Sequence, residues 1–282
     1  MSSPSLAVVI AAHDAADTLP AQLAALADQQ IDIETEIIVV DNGSTDATAT
    51  VAAATDDPRV RVIAATDGSG AGYARNRGVA ATGAGWIAFC DADDVVAPGW
   101  LAAVADALGR HEFVTGPLDT AALNEDWLAG SRGAAIATGQ PMFEGVFPIA
   151  SSCNLAIRRQ LFDEHGGFDE AFRIGQDSEL SLRLWRADVE LHFAEAMVVR
   201  YRYRPTMRGV FDQARSFGRA QVAIERRLAE LGVAAPSSGR AVRRGLWLLR
   251  SLTGLRSRAG RARWLYVCGT QVGRFVGRVR RR

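Results

Sequence analysis

The sequence predicts an α/β fold in which a mostly parallel sheet carries helices on both faces. Short unbroken apolar runs, typical of strands that are buried on both sides, recur along residues 1–120. The early runs are each followed by a segment with helical spacing of its apolar residues, which is the order of a β-α unit. The chain has 282 residues, of which 48% are hydrophobic, so it can form an ordinary globular core. Such units predict ligands beyond the carboxyl ends of the strands.

The predicted elements alternate regularly at first. The predicted strands cover four segments: residues 6–12, 36–40, 60–64 and 86–90. The predicted helices cover the segments between them: residues 17–28, 47–54 and 70–81. Ser44 or Thr45 is predicted to cap the second of these helices, and Pro98 is predicted to open the helix after the fourth strand.

The alternation ends near residue 117, and we expect a loop-rich segment over the site at residues 117–150. The later predicted elements are a strand, a turn, a helix, an extended segment, a long helix and a linker: residues 151–158, 166–167, 175–187, 191–203, 206–231 and 236–239. We therefore expect a catalytic domain over residues 1–205, followed by a helical, arginine-rich extension over residues 206–282.

The formal net charge is zero, but the charges are unevenly distributed. The last acidic residue is Glu230, and residues 231–282 carry 13 arginines and no acid. Arginines interspersed with aromatic and leucine residues in helices suit an anionic membrane surface. Docking on the protein's own acidic body is the equal alternative. No nucleic-acid-binding motif accompanies the charge, so we expect no nucleic-acid partner.

Several absences narrow the possible functions and locations. The sequence contains no lysine, which excludes Schiff-base chemistry. Cys90, Cys153 and Cys268 form no zinc-type spacing and indicate a reducing compartment. No apolar run is long enough to span a bilayer, so we expect a cytoplasmic protein, either free or peripheral on the inner face of the cytoplasmic membrane. Neither the dinucleotide-binding nor the P-loop glycine motif is present, which disfavours both of those classes.

An acidic loop, Asp91-Ala-Asp93-Asp94, follows the fourth predicted strand. Carboxylates this close together repel one another unless a cation joins them. A hard divalent ion, Mg²⁺ or Mn²⁺, prefers such oxygen ligands. A solvated acidic turn is the alternative, but the position at a strand end weakens it. The sequence therefore predicts a divalent metal site on this loop.

Two further clusters lie where a ligand is expected. Asp41 closes the second strand and can accept hydrogen bonds from a base or a ribose, although an ordinary turn is the alternative. Residues 70–78 carry Arg75 and Arg77 near the start of a helix. Backbone N–H groups and guanidinium donors there suit a diphosphate, and exposed helical arginines are the alternative.

Together these segments resemble the family 2 glycosyltransferases of the GT-A fold over roughly residues 6–205. The matching segments occur in the family's order: residues 11–14, 41–46, 74–78, 91–93, 154–159 with 166–170, and 175–180. The departures from the family's pattern are Ala11, His13, Asp14, Gln176 and Glu179. The resemblance implies an inverting, metal-assisted transferase that uses a nucleotide-diphosphate sugar.

The resemblance also implies a role for each matched residue. The implied donor-binding residues are Ala11, His13, Asp14, Asp41, Arg75 and Asp91, with Asp41 recognising the nucleobase. The implied metal ligands are Asp91 and Asp93, and the implied catalytic base is Asp177. Asn154 and Gln176 would lie on the acceptor side.

A base at Asp177 is chemically reasonable. A sugar hydroxyl is a poor nucleophile until its proton is removed during the attack. Asp177 lies in the first turn of a predicted helix, where the helix dipole favours an ionised carboxylate. A plain acid at a helix N-terminus is the alternative.

The expected donor is a UDP-, GDP- or dTDP-sugar. The expected acceptor is a cell-envelope glycan, a lipid-linked sugar or a natural product. Two other functions stay open at this point. A nucleotidyltransferase of related fold would use similar carboxylate chemistry, and a non-catalytic relative would bind sugar or membrane without turnover.

Overall fold

The computed structural model describes residues 5–132, 139–233 and 246–279. These residues form two compact units. The first unit contains the described residues up to 119 together with 139–201, and the second contains 120–132 and the described residues from 202 onward. The sequence places its boundary at 205 and does not indicate that residues 120–132 belong with the C-terminal helices. The predicted linker at residues 236–239 lies outside the described residues.

The first unit is built from alternating strands and helices. Its strands are β1 (Leu6–Ala12), β2 (Thr35–Asp41), β3 (Val60–Ala64), β4 (Trp86–Asp91), β5 (Val95–Val96), β6 (Phe113–Thr115), β7 (Leu118–Asp119), β8 (Met142–Phe143), β9 (Phe147–Pro148), β10 (Asn154–Arg158), β11 (His192–Phe193) and β12 (Val199–Arg200). Its helices are α1 (Leu19–Ala27), α2 (Thr48–Ala53), α3 (Ala71–Ala80), α4 (Trp100–Arg110), α6 (Arg159–Glu164) and α7 (Gln176–Arg186).

A seven-stranded sheet in the order β11-β6-β10-β4-β1-β2-β3 forms the centre of the first unit. β1 pairs in parallel with β2 and β4, and β2 pairs in parallel with β3. β10 is antiparallel to both β4 and β6. The α/β class with a mostly parallel sheet is therefore confirmed. The antiparallel strand comes from the segment after the regular β-α units.

Both faces of this sheet are buried. On one face, Val8 packs in a cluster with Leu23 of α1 and Trp100 of α4. On the other face, Val9 and Phe89 belong to a cluster that includes residues of α3, α6 and α7. Because neither face of the central strands β1, β2 and β4 meets water, most of their side chains are apolar, and this produces the unbroken apolar runs in the sequence.

The predicted cap of α2 is wrong. α2 begins at Thr48, and no side chain caps it at the preceding position. The carboxylate of Asp46 accepts a hydrogen bond from the Thr48 N–H at 2.9 Å, whereas Ser44 and Thr45 lie earlier in the loop and bond elsewhere. An aspartate two residues before the helix is as good an acceptor for this N–H group as a hydroxyl is.

Other predicted bounds shift by a few residues. α4 begins at Trp100 rather than at Pro98, because Gly99 before it has a left-handed φ of 80°. β10 begins at Asn154, since the Asn154 N–H first closes a turn onto the Ser151 carbonyl at 2.8 Å. The extended segment predicted at 191–203 contains the short strands β11 and β12.

The second unit is helical. It contains α5 (Asp126–Ala129), α8 (Met207–Glu230), a 3₁₀ helix (Leu252–Arg256) and α9 (Arg258–Val279). α8 and α9 approach closely at glycines. A Cβ at Gly218 would lie 2.2 Å from the Thr270 carbonyl oxygen, and one at Gly273 would lie 2.0 Å from that of Arg215. Only glycine permits this distance between the backbones.

Part of the basic tail therefore packs on α8 within the second unit. Arg274 of α9 is buried and pairs with Glu225 of α8, with 2.5 Å between its Nη2 and Oε1. Arg278 lies 3.8 Å from the other oxygen of the same carboxylate. Over the described residues, none of the helices combines the length and the apolar character needed to cross a bilayer.

Gly78 sets the distance between α3 and the sheet. A methyl group there would lie 2.3 Å from Cγ1 of Val9 and 3.0 Å from Cγ2 of Val40. We expect Gly78→Ala to lower the free energy of unfolding by about 1–3 kcal/mol, because the added methyl overpacks the core. Urea unfolding measures this change.

Gly109→Ala is the matched control for Gly78→Ala. Gly109 also lies in a helix, α4, and no atom lies within 4 Å of its added methyl group. This substitution should leave stability unchanged or raise it by up to about 1 kcal/mol, since alanine has the higher helix propensity. Equal effects of the two substitutions would contradict tight packing at Gly78.

Candidate active site

The carboxyl ends of β1, β2 and β4 meet at one edge of the sheet. Ala11 of β1 pairs with Asp91 of β4 on one side and with Val40 of β2 on the other, and Ala12 pairs with Asp41. Asp41 and Asp91 are thus separated by one intervening strand, or about 10 Å of sheet width. The structure brings the polar clusters from three strand ends together, as the parallel arrangement predicts.

The loop after β1 carries His13 and Asp14. Asp14 has a left-handed φ of 48°, and its Oδ1 accepts a hydrogen bond from the Thr45 N–H at 2.7 Å. This bond is the main cause that lowers the pKa of Asp14. His13 is exposed, and its Nδ1 lies 2.9 Å from the carbonyl oxygen of Asn42. Asp14 therefore ties the loop after β1 to the loop after β2.

Asn42, which belongs to the matched segment 41–46 and had no predicted role, fixes the loop before α3. Its Nδ2 donates hydrogen bonds to the carbonyl oxygens of Ala65 at 2.5 Å and Gly68 at 3.0 Å. Its Oδ1 accepts a hydrogen bond from the Gly70 N–H at 2.8 Å. Both amide hydrogens are used within the protein. The end of β2 thereby positions the first turn of α3, the helix that carries Arg75.

Arg75 is 2% exposed and forms an ion pair with Asp91, with 2.5 Å between Nη2 and Oδ1. Its guanidinium also lies over the Phe168 ring, 5.7 Å from the centroid. In the described part of the chain, its Nε and Nη1 atoms have no hydrogen-bond partner. Buried donors without acceptors cost free energy. Arg75 is therefore suited to hold an oxygen of an anionic ligand.

A group of potential metal ligands follows β4. A carboxylate oxygen of Asp91, a carboxylate oxygen of Asp94 and the Sγ of Cys153 all lie within 4.8 Å of one another. Asp94 is buried and Asp91 is half-buried. The sequence predicted Asp91 and Asp93 as the metal ligands. Asp93 lies between Asp91 and Asp94 on the same loop. The sequence placed Asp94 on this acidic loop without naming it as a ligand, and it did not predict that Cys153 lies with the two carboxylates.

The carboxylates of this loop fit a hard divalent ion, because Mg²⁺ and Mn²⁺ prefer oxygen ligands. The thiol of Cys153 does not share this preference. Burial above all, followed by the charges of Asp94 and Asp91, raises the pKa of Cys153 well above its ordinary value. Cys153 therefore stays protonated at neutral pH and is a poor ligand for such an ion. The fit to a metal rests on the acidic loop alone.

Two buried glutamines hold the acidic loop in place. Gln22 of α1 donates from Nε2 to the Asp91 carbonyl oxygen at 3.2 Å, and its Oε1 accepts a hydrogen bond from the Val96 N–H at 2.9 Å. Gln29, just beyond the end of α1, donates to the Ala97 carbonyl oxygen at 3.1 Å. The loop that carries the aspartates is thus attached to the region of α1 at both of its ends.

Asp177 lies in the first turn of α7, as the sequence predicted. Its Oδ2 accepts a hydrogen bond from the Ser152 N–H at 3.1 Å, and its Oδ1 accepts one from the Ser178 N–H at 2.7 Å. The carboxylate is half-buried. These two backbone hydrogen bonds orient Asp177. Each oxygen of a carboxylate can accept more than one hydrogen bond, so Asp177 can still accept a further one from a ligand.

The adjacent residues Ser152 and Cys153 bring Asp177 next to the acidic loop. Ser152 donates to Asp177, and the Cys153 sulfur belongs to the group within 4.8 Å that includes Asp91 and Asp94. The negative charge of Asp177 also contributes to the raised pKa of Cys153. A carboxylate that can accept a proton and a group of carboxylates that could hold a metal ion therefore lie close together.

Gln176 precedes Asp177 and is buried against α3. Its Cγ lies 3.5 Å from the position of a Cβ at Gly72, so the first turns of α3 and α7 are in contact distance. Among the described residues, nothing donates a hydrogen bond to its Oε1. This acceptor has lost its contact with water and retains hydrogen-bonding capacity for a ligand.

Asn154, predicted on the acceptor side, has a different environment. It is fully buried, and its Oδ1 accepts a hydrogen bond from Nε1 of Trp100 at 2.9 Å. Its Nδ2 donates to the carbonyl oxygens of Met197 at 2.7 Å and Pro117 at 3.1 Å. Both amide hydrogens are therefore used. Asn154 thus joins three segments of the chain, and its place on the acceptor side stays a prediction.

The turn before α7 is held by residues that the sequence analysis did not assign. Glu179 is buried and pairs with Arg183, with 2.7 Å between Oε2 and Nη2. Arg183 also donates to the Gly167 carbonyl oxygen at 2.6 Å. Asn76 of α3 accepts a hydrogen bond from the Phe168 N–H at 3.0 Å. Glu179, a departure from the family pattern, thus has a structural partner of its own.

Only some of these residues left a signal in the sequence. Gln22 lies at helical spacing from Leu19 and Leu26, and a polar residue on an apolar helix face signals a buried hydrogen bond. Asn42 and Cys153 left no such signal, because their partners lie far away along the chain.

Known proteins are similar to this chain in sequence. A family model described as "Glycosyl transferase family 2" matches residues 7–166. The succinoglycan biosynthesis protein ExoO of Rhizobium meliloti (strain 1021) is 35% identical over 189 residues, which cover 62% of this chain and 53% of that protein. A PGL/p-HBAD biosynthesis glycosyltransferase of Mycobacterium bovis (strain BCG / Pasteur 1173P2) is 31% identical over 192 residues, which cover 65% of this chain and 70% of that protein. The chain thus spans about half the length of ExoO.

Solved structures are similar to it in fold. The mannosyltransferase PcManGT from Pyrobaculum calidifontis, in complex with GDP-Man and Mn²⁺, has a TM-score of 0.62 at 16% identity, covering 98% of this chain and 88% of that chain. S. aureus TarS 1-349 in complex with UDP-GlcNAc has a TM-score of 0.58 at 15% identity, and the match covers 98% of this chain and 92% of that chain. At this low identity the similarity concerns the fold, and it confirms the GT-A type that the sequence predicted.

Gln22 should matter for the stability of the acidic loop. Gln22→Ala removes the acceptor of the buried Val96 N–H, so we expect the free energy of unfolding to fall by about 1–3 kcal/mol. Gln30→Ala is the matched control, because Gln30 is exposed and its replacement should change stability by less than about 0.5 kcal/mol. Urea unfolding of both variants measures the difference, and equal losses would contradict the role of Gln22.

Proposed function

The chain belongs to glycosyl transferase family 2, and we propose that it moves a sugar from a nucleotide-diphosphate sugar to a hydroxyl of an acceptor. The observation that carries this proposal is the site shared by Asp177 and the acidic loop, joined through Ser152 and Cys153. Sugar transfer requires removal of a proton from the acceptor and stabilisation of a departing diphosphate. The two sides of the site supply a group for each task.

The donor would bind across the carboxyl ends of β1, β2 and β4. Arg75 supports a diphosphate, because its buried Nε and Nη1 atoms lack hydrogen-bond acceptors in the described residues. Asp41 would accept hydrogen bonds from the base, with Ala11 and His13 lining the same pocket, and Asp91 would lie near the ribose. We propose a UDP-, GDP- or dTDP-sugar. PcManGT was solved with GDP-Man and TarS with UDP-GlcNAc.

A divalent ion, Mg²⁺ or Mn²⁺, would be held by Asp91 and Asp93. The oxygen-rich acidic loop is what supports this assignment, together with the buried Asp94 beside it. Such an ion offsets the negative charge that develops on the diphosphate as it leaves. Arg75 contributes a fixed positive charge to the same region through its ion pair with Asp91.

The chemical step would be a single displacement. The acceptor oxygen attacks the anomeric carbon while its proton passes to the carboxylate of Asp177. The bond between the anomeric carbon and the diphosphate oxygen breaks, and its electron pair leaves with the nucleoside diphosphate. Attack from the face opposite the leaving group inverts the configuration at the anomeric carbon. The hydrogen bonds from Ser152 and Ser178 keep the Asp177 carboxylate oriented for this proton transfer.

The proposed acceptor is a cell-envelope glycan or a lipid-linked sugar, with a natural product as the alternative. ExoO is named for succinoglycan biosynthesis, and the mycobacterial relative is named for PGL/p-HBAD biosynthesis. Gln176 is the residue that would contact this acceptor, because its buried Oε1 adjoins Asp177 in the chain and lacks a donor among the described residues. An acceptor hydroxyl would supply that donor.

Family membership favours sugar transfer over the two other functions that the sequence left open. A nucleotidyltransferase would release pyrophosphate, whereas sugar transfer from the proposed donor releases a nucleoside diphosphate. A non-catalytic relative would release neither. Analysis of the released phosphates therefore distinguishes the three.

Nucleotide binding should depend on the metal and on the acidic loop. A nucleoside diphosphate of the correct base, with Mn²⁺, should raise the melting temperature by about 5 °C or more at a hundredfold excess over its Kd. We expect Asp93→Ala to lose this rise, while Asp106→Ala, at an exposed position on α4, keeps it. Thermal unfolding against UDP, GDP and dTDP, with and without Mn²⁺, is the measurement. A metal-independent rise, or no rise with any nucleotide, would contradict the donor site.

Asp177 should be needed for turnover and not for donor binding. Asp177→Asn keeps the shape and removes the proton acceptor, so we expect kcat to fall by about 10²–10⁴ while the nucleotide-induced thermal shift is unchanged. Asp188→Asn is the matched control, since Asp188 is exposed after α7 and asparagine tolerates its φ of 56°. Release of nucleoside diphosphate measures turnover. Full activity of Asp177→Asn would remove Asp177 from the mechanism.

A further inference from the structure

α9 has an apolar face that the described residues of the second unit leave uncovered. Its opposite face, with Gly269 and Gly273, packs on α8. Three apolar side chains at helical spacing lie on the uncovered side: Val272 is 37% exposed, Phe275 is 68% exposed and Val279 is 63% exposed. Large exposed apolar side chains grouped on one face indicate an interaction surface rather than a solvated one.

The segment before α9 continues this character. Leu249 is 69% exposed and Leu252 is 52% exposed. This segment packs beside α9, because Trp264 donates from Nε1 to the Leu248 carbonyl oxygen at 3.1 Å and Arg263 lies over the Trp247 ring. The exposed leucines therefore belong to the same helical unit as the apolar side of α9.

All charged side chains of residues 246–279 are positive. Residues 246–279 contain seven arginines and no acidic residue. Glu225 neutralises Arg274 and also lies 3.8 Å from Arg278, whose side chain is 55% exposed. Arg261 is exposed on the side of α9 away from the glycine seam. We use the name basic apolar face for Arg261, Val272, Phe275, Arg278 and Val279. It combines exposed apolar groups with exposed positive charge.

We propose that the basic apolar face binds the surface of a bilayer that contains anionic lipids. Apolar side chains of an interfacial helix enter the boundary between headgroups and acyl chains, while arginines pair with lipid phosphates. A helix of this kind lies on the membrane, in agreement with the finding that the described residues contain no helix able to span it. This interaction is independent of the sugar-transfer reaction.

Charge selects the bilayer over a second copy of the chain. Two copies that met through this face would bring Arg261 and Arg278 of each copy together, and like charges in an interface repel. An anionic surface instead attracts every uncompensated arginine of the region. Affinity for the bilayer should therefore increase with its content of anionic lipid and decrease with salt.

Cosedimentation of the full chain with vesicles tests the proposal. We expect binding to mixed phosphatidylcholine–phosphatidylglycerol vesicles, and at least about fivefold weaker binding to phosphatidylcholine alone. The double variant Arg261→Gln/Arg278→Gln should weaken binding to the anionic vesicles by about fivefold or more. Phe275→Ser/Val279→Ser should weaken it on both kinds of vesicle, because it removes the apolar part of the contact.

Two control variants test whether the loss of any exposed apolar or positively charged side chain would weaken vesicle binding. Met142→Ser removes an apolar side chain that is 47% exposed in the first unit, and Arg208→Gln removes an arginine that is 93% exposed on α8. Both should bind the anionic vesicles as the unchanged chain does, and all variants should keep their melting temperatures. Equal binding to both vesicle types, no binding, or a dimer in light scattering that Phe275→Ser/Val279→Ser dissociates would each overturn the proposal. A failure here leaves the nucleotide-binding and turnover measurements unaffected.

Discussion

The parallel pairing of β1 between β2 and β4 is the constraint on which the candidate site depends. It aligns three strand ends, so that Ala11 adjoins Asp91 on one side while Ala12 adjoins Asp41 on the other. The close approach of α3 at Gly78 then lets Arg75 reach Asp91 from above the sheet. A shift of one residue in this register would exchange the two faces of β1 and separate these groups.

Electrostatics explains how the protein tolerates so many carboxylates in one place. Arg75 neutralises Asp91 inside the protein, and removal of one partner from such a buried pair typically costs about 3–5 kcal/mol. Asp94 and Asp177 add further negative charge around Cys153, whose pKa is raised mainly by burial and further by these charges. The site is thus balanced in part by its own arginine, and the remaining negative charge favours a cation.

The second unit is held together by close packing of two helices. Glycines let α8 and α9 pack backbone to backbone, as at Gly218 and Gly273, so that a narrow seam holds the two helices together. This leaves the rest of the α9 surface outside the core. The buried pair between Arg274 and Glu225 uses one arginine of the tail for folding, and the exposed Arg258 and Arg278 also lie near acidic residues of the second unit.

The sequence by itself determined the α/β class and the first four strands to within about one residue, because two-sided burial produces unbroken apolar runs. It also placed Asp41 and Asp91 at strand ends and Asp177 at a helix start, because helix starts and strand ends have local signals. Only the tertiary structure decided that β10 is antiparallel, that Cys153 lies with Asp91 and Asp94, and that Asn154 is buried. These features depend on contacts between segments that are far apart along the chain, and no local pattern of residues encodes such contacts.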